Sequence, residues 1–295
     1  MQTPPSRRIG VLFDRERSPE DLADFARAVE ALGADDLWVV EDLGWAGSIA
    51  SAAVALAVTE RIRVGIGIVP APLRNPALLA MEFGALARMF PHRLVAGVGH
   101  GVGEWMHQVG AATPHQLALL EETITAVRAL LRGETVTLRG TVVRLDAVRL
   151  VHPPAVPPPV VAGVVRPRSL RVSGRVADGT VIAEGHGPEA LARARDTIAE
   201  ALPSGFSAHE LILFTFLGAD GRSEAAAAEL RSMVAGQADW LGVAPDDVFT
   251  VAGSADEAAG TVRSLWDAGA HTVVLRPVGE DPIGQLRPIL AALSR

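Results

Sequence analysis

A single (β/α)8 barrel is the fold that this chain of 295 residues predicts. Eight short runs rich in β-branched residues alternate with longer segments of helical periodicity, which implies parallel strands joined by right-handed crossovers. A barrel with its ring of helices takes about 250 residues, close to the length here. No short sequence period divides the chain, which excludes a solenoid. An open doubly wound sheet would also satisfy the alternation; the length and the count of eight favour closure.

The first strand is predicted at 8–13. Ser18-Pro19-Glu20 then has the form of an N-cap followed by proline at the first helical position. Leu22, Phe25, Ala26, Val29 and Leu32 recur at helical spacing, and Gly33 suits the C-terminal cap. Strands two to four fall at 37–40, 62–69 and 94–98. Thr113-Pro114-His115-Gln116 has the form of a capping box and opens a helix with Leu117, Leu120, Ile124, Val127 and Leu131 on one face. Residues 134–150 change character: 134–138 and 142–145, joined across Arg139-Gly140-Thr141, read as a β-hairpin inserted in the barrel. A proline-rich stretch, 152–159, leads to strands at 160–163, 179–183, 211–216 and 272–275. Helices lie near 167–177, 187–201, 223–236, 254–268 and 281–294. Ser254-Ala255-Asp256-Glu257 is a second capping box, and Asp281-Pro282 a second cap-plus-proline start. The whole chain, 1–295, is expected to be one domain, with 1–7 a flexible leader.

Composition narrows the function classes. No apolar run reaches the roughly 18 to 20 residues that span a bilayer, and the basic N-terminal residues have no apolar segment behind them. A cytoplasmic protein without membrane contact is expected. The absence of cysteine excludes disulfides, thiolate metal sites and a thiol nucleophile together. A net charge of −7, few aromatics and no tyrosine argue against nucleic acid as a partner.

Barrel sites lie at the C-terminal ends of the strands. There the sequence places Asp14 and Arg15, then Glu41-Asp42-Leu43-Gly44-Trp45, then Gly97-Val98-Gly99-His100-Gly101 and Glu104-Trp105, and later Glu184. The glycines would let backbone approach a flat ligand closely, or simply permit a tight strand-to-helix turn. Trp45 and Trp105 would either wall a ring-binding pocket or plug the barrel mouth. His100, His107 and His186 match no helix-based ligand spacing, so no metal is expected. Arg166-Pro167-Arg168-Ser169 follows a strand and opens a helix, where free N–H groups, the helix dipole and two arginines suit a phosphate. Arg171 and Arg175, one turn apart, also fit a solvated basic face.

Several segments, in order, resemble the bacterial luciferase-like superfamily: 22–33 followed by Leu37-Trp38-Val39-Val40-Glu41-Asp42, 57–65, Arg74-Asn75-Pro76-Ala77, 93–101, Gly174-Arg175-Val176-Ala177-Asp178-Gly179-Thr180 and Val251-Ala252-Gly253-Ser254. The runs 177–184 and 99–106 are most similar to its deazaflavin-using branch, near methylene-tetrahydromethanopterin reductase. That resemblance implies a barrel binding coenzyme F420, or alternatively flavin mononucleotide (FMN), at its mouth. It implies a non-proline cis peptide on strand three, which counting back from Asn75-Pro76 puts at Gly67-Ile68. It further implies that Asp42, Gly67, Ile68, Val69, Gly97, Gly99, Gly101 and Gly163 surround the ring, and that Val164, Val165, Arg166 and Arg168 hold the phosphate. Glu104 and His100 would handle a proton, with Glu41 and Glu184 behind them, and Trp45 would pack beside ring or substrate. Several deazaflavin dehydrogenases carry Asp-His after strand two; here Asp42-Leu43 stands in its place. Loss of that histidine favours reduction of a C=C or C=N bond in a small organic substrate over alcohol oxidation. The rival expectations are an FMN-dependent monooxygenase of the same superfamily and a non-catalytic flavin-binding or structural barrel. The resemblance also implies a homodimer through outer helices.

Overall fold

The computed structural model describes residues 7–204, 209–219 and 223–294. Residues 1–6 of the expected leader lie outside the described residues; Arg7 is described, and its guanidinium pairs with Asp267 at 2.6 Å.

The strands, in chain order, are β1 (Arg8–Leu12), β2 (Asp36–Val39), β3 (Arg63–Pro70), β4 (Leu94–Gly99), β5 (Val136–Arg139), β6 (Arg144–Val148), β7 (Val160–Gly163), β8 (Gly179–Ile182), β9 (Glu210–Ala219), β10 (Thr250–Gly253) and β11 (Thr272–Pro277). The helices are α1 (Leu22–Ala31), α2 (Ser48–Val58), α3 (Pro76–Met89), α4 (Gly103–Gln108), α5 (Gln116–Leu131), α6 (Pro167–Val176), α7 (Pro188–Ala199), α8 (Glu224–Leu241), α9 (Ala255–Asp267) and α10 (Pro282–Leu293). Parallel pairing runs β1-β2-β3-β4-β7-β8-β9-β11 and returns to β1, with Arg8 opposite Thr272, so eight strands close into a barrel. β5 and β6 form the antiparallel insertion.

Side chains alternate along each strand with period two, as a sheet buried on both faces requires. Val11, Leu37, Val64 and Val98 point out against the apolar helix faces. Leu12, Trp38, Val95, Val161, Val181, Ile212, Phe214 and Val274 point in and fill the barrel. Trp38 and Phe214 meet edge to face with centroids 5.2 Å apart. Their bulk is accommodated by Gly65 and Gly67: a Cβ on Gly65 would collide with the Trp38 ring, and one on Gly67 would lie 2.6 Å from Phe214. The end of the barrel remote from the mouth is closed by charge. The fully buried Asp36 accepts from Arg8 at 2.6 Å and Arg63 at 2.7 Å, and Arg63 also donates to Glu210 at 2.6 Å. Buried charges persist only when paired in this way.

The caps fall partly as expected. Ser254 and Glu257 form the reciprocal box, with the Ser254 N–H donating to Glu257 at 2.9 Å, and Asp281 accepts from the Gly284 N–H at 2.8 Å. Gly33, at φ +83, ends the first helical segment. The expected box at Thr113 does not form: α5 begins at Gln116, and the Thr113 hydroxyl accepts from the His115 N–H at 3.2 Å, a local turn. Ser18 stands at the N-cap position with Pro19 first in a short 3-10 turn, Pro19–Asp21, that leads into α1, but its hydroxyl donates to the Glu20 carboxylate instead of accepting a backbone N–H. Four elements had no expected range: α2 and α3, which fill the crossovers after β2 and β3, α4, inside the loop after β4, and β10, which pairs with the outer half of β9. Among the described residues no helix is long and apolar enough to cross a membrane.

Candidate active site

The peptide between Gly67 and Ile68 is cis, and β3 shifts register against β4 between Ile66 and Val69. This bulge sends Ile68 inward over its neighbours. A Cβ on Gly97 would lie 3.0 Å from Ile68 Cγ2, one on Gly99 2.6 Å from Ile68 Cδ1, and one on Gly163 2.6 Å from Ile68 Cγ2. Gly99 and Gly163, on two adjacent strands, therefore make room for Ile68, whereas Gly97 is required first by the Ile66 carbonyl oxygen, with which a Cβ would collide. The run thus has a packing reason of its own, besides any approach of backbone to a ligand. Gly101 has a separate reason: φ is +71, a left-handed turn value. Val69 is fully buried among the outward-pointing residues and offers a ligand no side chain.

Beyond β7, α6 starts with Arg166 as its cap residue and Pro167 in the first turn. Val164 is buried and its N–H donates to Val181 at 3.1 Å, so that amide is not free for an anion, contrary to expectation. The first-turn amides of Arg168 and Ser169 take its place as orphan donors. Arg166 and Arg168 are exposed. Ser169 is buried, and its hydroxyl shares a 3.0 Å hydrogen bond with His100 Nε2. Burial pushes the His100 imidazole below its ordinary value, which favours the neutral ring. His100 thus ties the β4 loop to the start of α6, a link invisible at a separation of 69 residues.

On the far side of the mouth, Arg15 pairs with Asp42, and its guanidinium lies 4.4 Å over Trp45 and 5.9 Å from Trp105. The two indoles are 6.2 Å apart at 46°. Glu41 accepts from Arg74 and, at 2.7 Å, from the Ser48 hydroxyl. A cavity of about 360 Å³ lies among Asp42, Trp45, Leu73, Arg74, Trp105 and Met106. Glu104 is exposed in the first turn of α4, where a carboxylate complements the helix dipole. His186 donates Nδ1–H to the Ala183 carbonyl at 2.9 Å, and His107 is exposed. Among the described residues no group of three His, Asp or Glu side chains is placed to hold a metal.

The sequence reading missed Arg276. It projects from the end of β11 and donates to Asp14 at 2.6 Å and Glu184 at 3.1 Å, joining three strand ends. Burial works against its charge, but the two carboxylates outweigh burial and hold the guanidinium above its ordinary range. An arginine ending a strand beside two acids that end others was the available signal; the partners, up to 262 residues apart, were not.

A family model described as luciferase-like monooxygenase matches residues 6–285. The chain belongs to that family. Within it, the sequence is 33% identical over 224 residues to the F420-dependent glucose-6-phosphate dehydrogenase of Nakamurella multipartita, covering 69% of this chain and 63% of that protein. The match therefore spans less than two thirds of that relative. The 5,10-methylenetetrahydromethanopterin reductase of Methanolobus tindarius is 23% identical over 309 residues, covering 90% of this chain and 94% of that one. Among solved structures, an F420-dependent secondary alcohol dehydrogenase in complex with an F420-acetone adduct superposes with a TM-score of 0.84 at 20% identity, over 98% of this chain and 99% of that one. At that identity the likeness carries the family's barrel architecture.

Proposed function

We propose that this protein is a deazaflavin-dependent oxidoreductase that uses coenzyme F420 to reduce an unsaturated bond of a small organic substrate. The observation that carries the reading is the Gly67–Ile68 bulge, packed against Gly97, Gly99 and Gly163, in a chain with several relatives named for F420. The residues present fit a flavin-type mononucleotide. The bulge makes a platform at the mouth, and the orphan first-turn amides of α6 lie between two exposed arginines. When bound, the coenzyme supplies hydride chemistry. Ile68 supports the ring, Arg166 and Arg168 hold the phosphate, and His100 fixes the first turn of α6 through Ser169. Glu104, exposed to solvent, is the group we assign to proton delivery. Leu43 follows Asp42 where several deazaflavin dehydrogenases carry a histidine to accept an alcohol proton, which favours reduction.

The same reading makes the protein a cytoplasmic homodimer. The dimer is supported by Val54, Leu78, Met81 and Met89, large apolar side chains exposed on the outer faces of α2 and α3.

Separate fluorescence titrations with coenzyme F420 and FMN test the cofactor. Tight binding of F420 with none of FMN is expected; the reverse favours the monooxygenase, and binding of neither favours a structural barrel. With F420 loaded, Glu104→Gln is expected to lower turnover about 100-fold or more without changing cofactor affinity; unchanged turnover removes Glu104 from the mechanism.

A further inference from the structure

The cavity between the loops after β2, β3 and β4 has a character of its own. Its volume, about 360 Å³, is in the range of small-molecule sites. Leu43, Trp45, Pro70, Leu73, Trp105 and Met106 give it a mainly apolar wall. Trp45 and Leu73 are 39% and 36% exposed, unusual for side chains so large and apolar. The indoles of Trp45 and Trp105, 6.2 Å apart and tilted by 46°, make one side of that wall a ring-lined slot.

The charged groups around the slot are already matched. Glu41 is held by Arg74 and the Ser48 hydroxyl, and Asp42 by Arg15. Arg74 also faces Glu82, at 3.6 Å, and Arg15 faces Glu16, at 3.4 Å, so carboxylates outnumber the guanidinium groups and no cation is left over for an anion. An entering phosphate would have to take a cation away from a part-buried carboxylate, and stranding such a carboxylate is costly. A flat apolar group meets the opposite balance, since it leaves water and stacks on Trp105, the indole farther from Arg15, with no ion pair broken.

We infer that this cavity is the substrate subsite, that Trp105 together with Trp45 determines its specificity, and that the substrate is a flat, conjugated, largely apolar compound without a phosphate. The inference rests on the oxidoreductase reading and names its substrate class. It separates this chain in substrate from the relatives named for glucose 6-phosphate.

The test is isothermal titration calorimetry of the 295-residue chain with two probes, 4-phenyl-3-buten-2-one and glucose 6-phosphate. The conjugated ketone is expected to bind, and the sugar phosphate to give no binding heat. Trp105→Ala is expected to weaken the ketone about tenfold or more, and Trp105→Phe to restore most of the loss. Coenzyme F420 titrated into each variant reports folding and the cofactor site independently; its affinity is expected to stay at the wild-type value. Ketone binding that ignores Trp105, no ketone binding to the wild type, or preferential binding of glucose 6-phosphate would each overturn the inference. If the wild type fails to bind F420 while ketone binding still depends on Trp105, the cofactor reading has failed and the subsite stands.

Discussion

A Cβ at Gly163 would come within 2.6 Å of Ile68 Cγ2 and 3.1 Å of Ile68 Cγ1, atoms close to the backbone that cannot swing far aside. Gly163→Ala is therefore expected to destabilise the protein by about 1–3 kcal/mol, the usual cost of overpacking. Combined with Ile68→Ala, which vacates the space, it should cost less than the two single changes summed. Chemical denaturation of the four proteins checks this, and strict additivity would refute the packing account. At this scale the sequence was legible in residue type and misleading in cause. The glycines at 97, 99 and 163 stood out as a site feature, but the contact that requires them joins β3 to β4 and β7. Trp45 and Trp105 were visible as loop tryptophans, whereas Arg15 between them and Asp42 came only with the fold.

The helix α6 combines its missing amide partners with Arg166 and Arg168 at one end. Replacing both arginines with glutamine is expected to raise the dissociation constant for F420 at least tenfold, with a salt dependence weaker than the wild type's. Titrations at two ionic strengths measure both effects; an unchanged constant would move the phosphate elsewhere. Elements with their own periodicity were readable: the apolar stripe of α1, the hairpin of β5 and β6, and the cap at Ser254 all follow from local pattern. α4 is six residues long and glycine-led, too short to show a period, and β10 owes its existence to an edge that β9 extends beyond the barrel. Both depend on tertiary partners.

Across the whole molecule, a guanidinium between two carboxylates stands at each end of the barrel: Arg63 between Asp36 and Glu210, Arg276 between Asp14 and Glu184. Near the lower end lies His209, whose Nε2 shares a 2.7 Å hydrogen bond with Thr180. Burial, only partly offset by the carboxylate of Asp178, pulls the His209 imidazole from its ordinary value near 6.5 to about 4. The folded protein holds that proton less readily than the unfolded chain does. Its contribution to stability is therefore full above pH 6.5 and is lost as the pH falls toward about 4. Thermal midpoints measured over that window should decline less steeply in His209→Gln than in the wild type; parallel slopes would assign the decline to other groups. The order of strands and their closure were legible from alternation and length, but no local pattern could reveal which charges meet at the two ends.

The seam between β1 and β11 also has a history in time. Arg8 lies opposite Thr272, Asp14 accepts from Arg276, and the Trp266 indole donates to the Arg8 carbonyl at 3.1 Å, all across some 260 residues. The first strand to leave a ribosome must wait for nearly the last one before its second edge is covered. At ordinary translation speeds that interval is on the order of 10 to 50 s. Throughout it the outer edge of β1 is an unpaired template, which leaves the nascent barrel open to association with other chains until β11 is made.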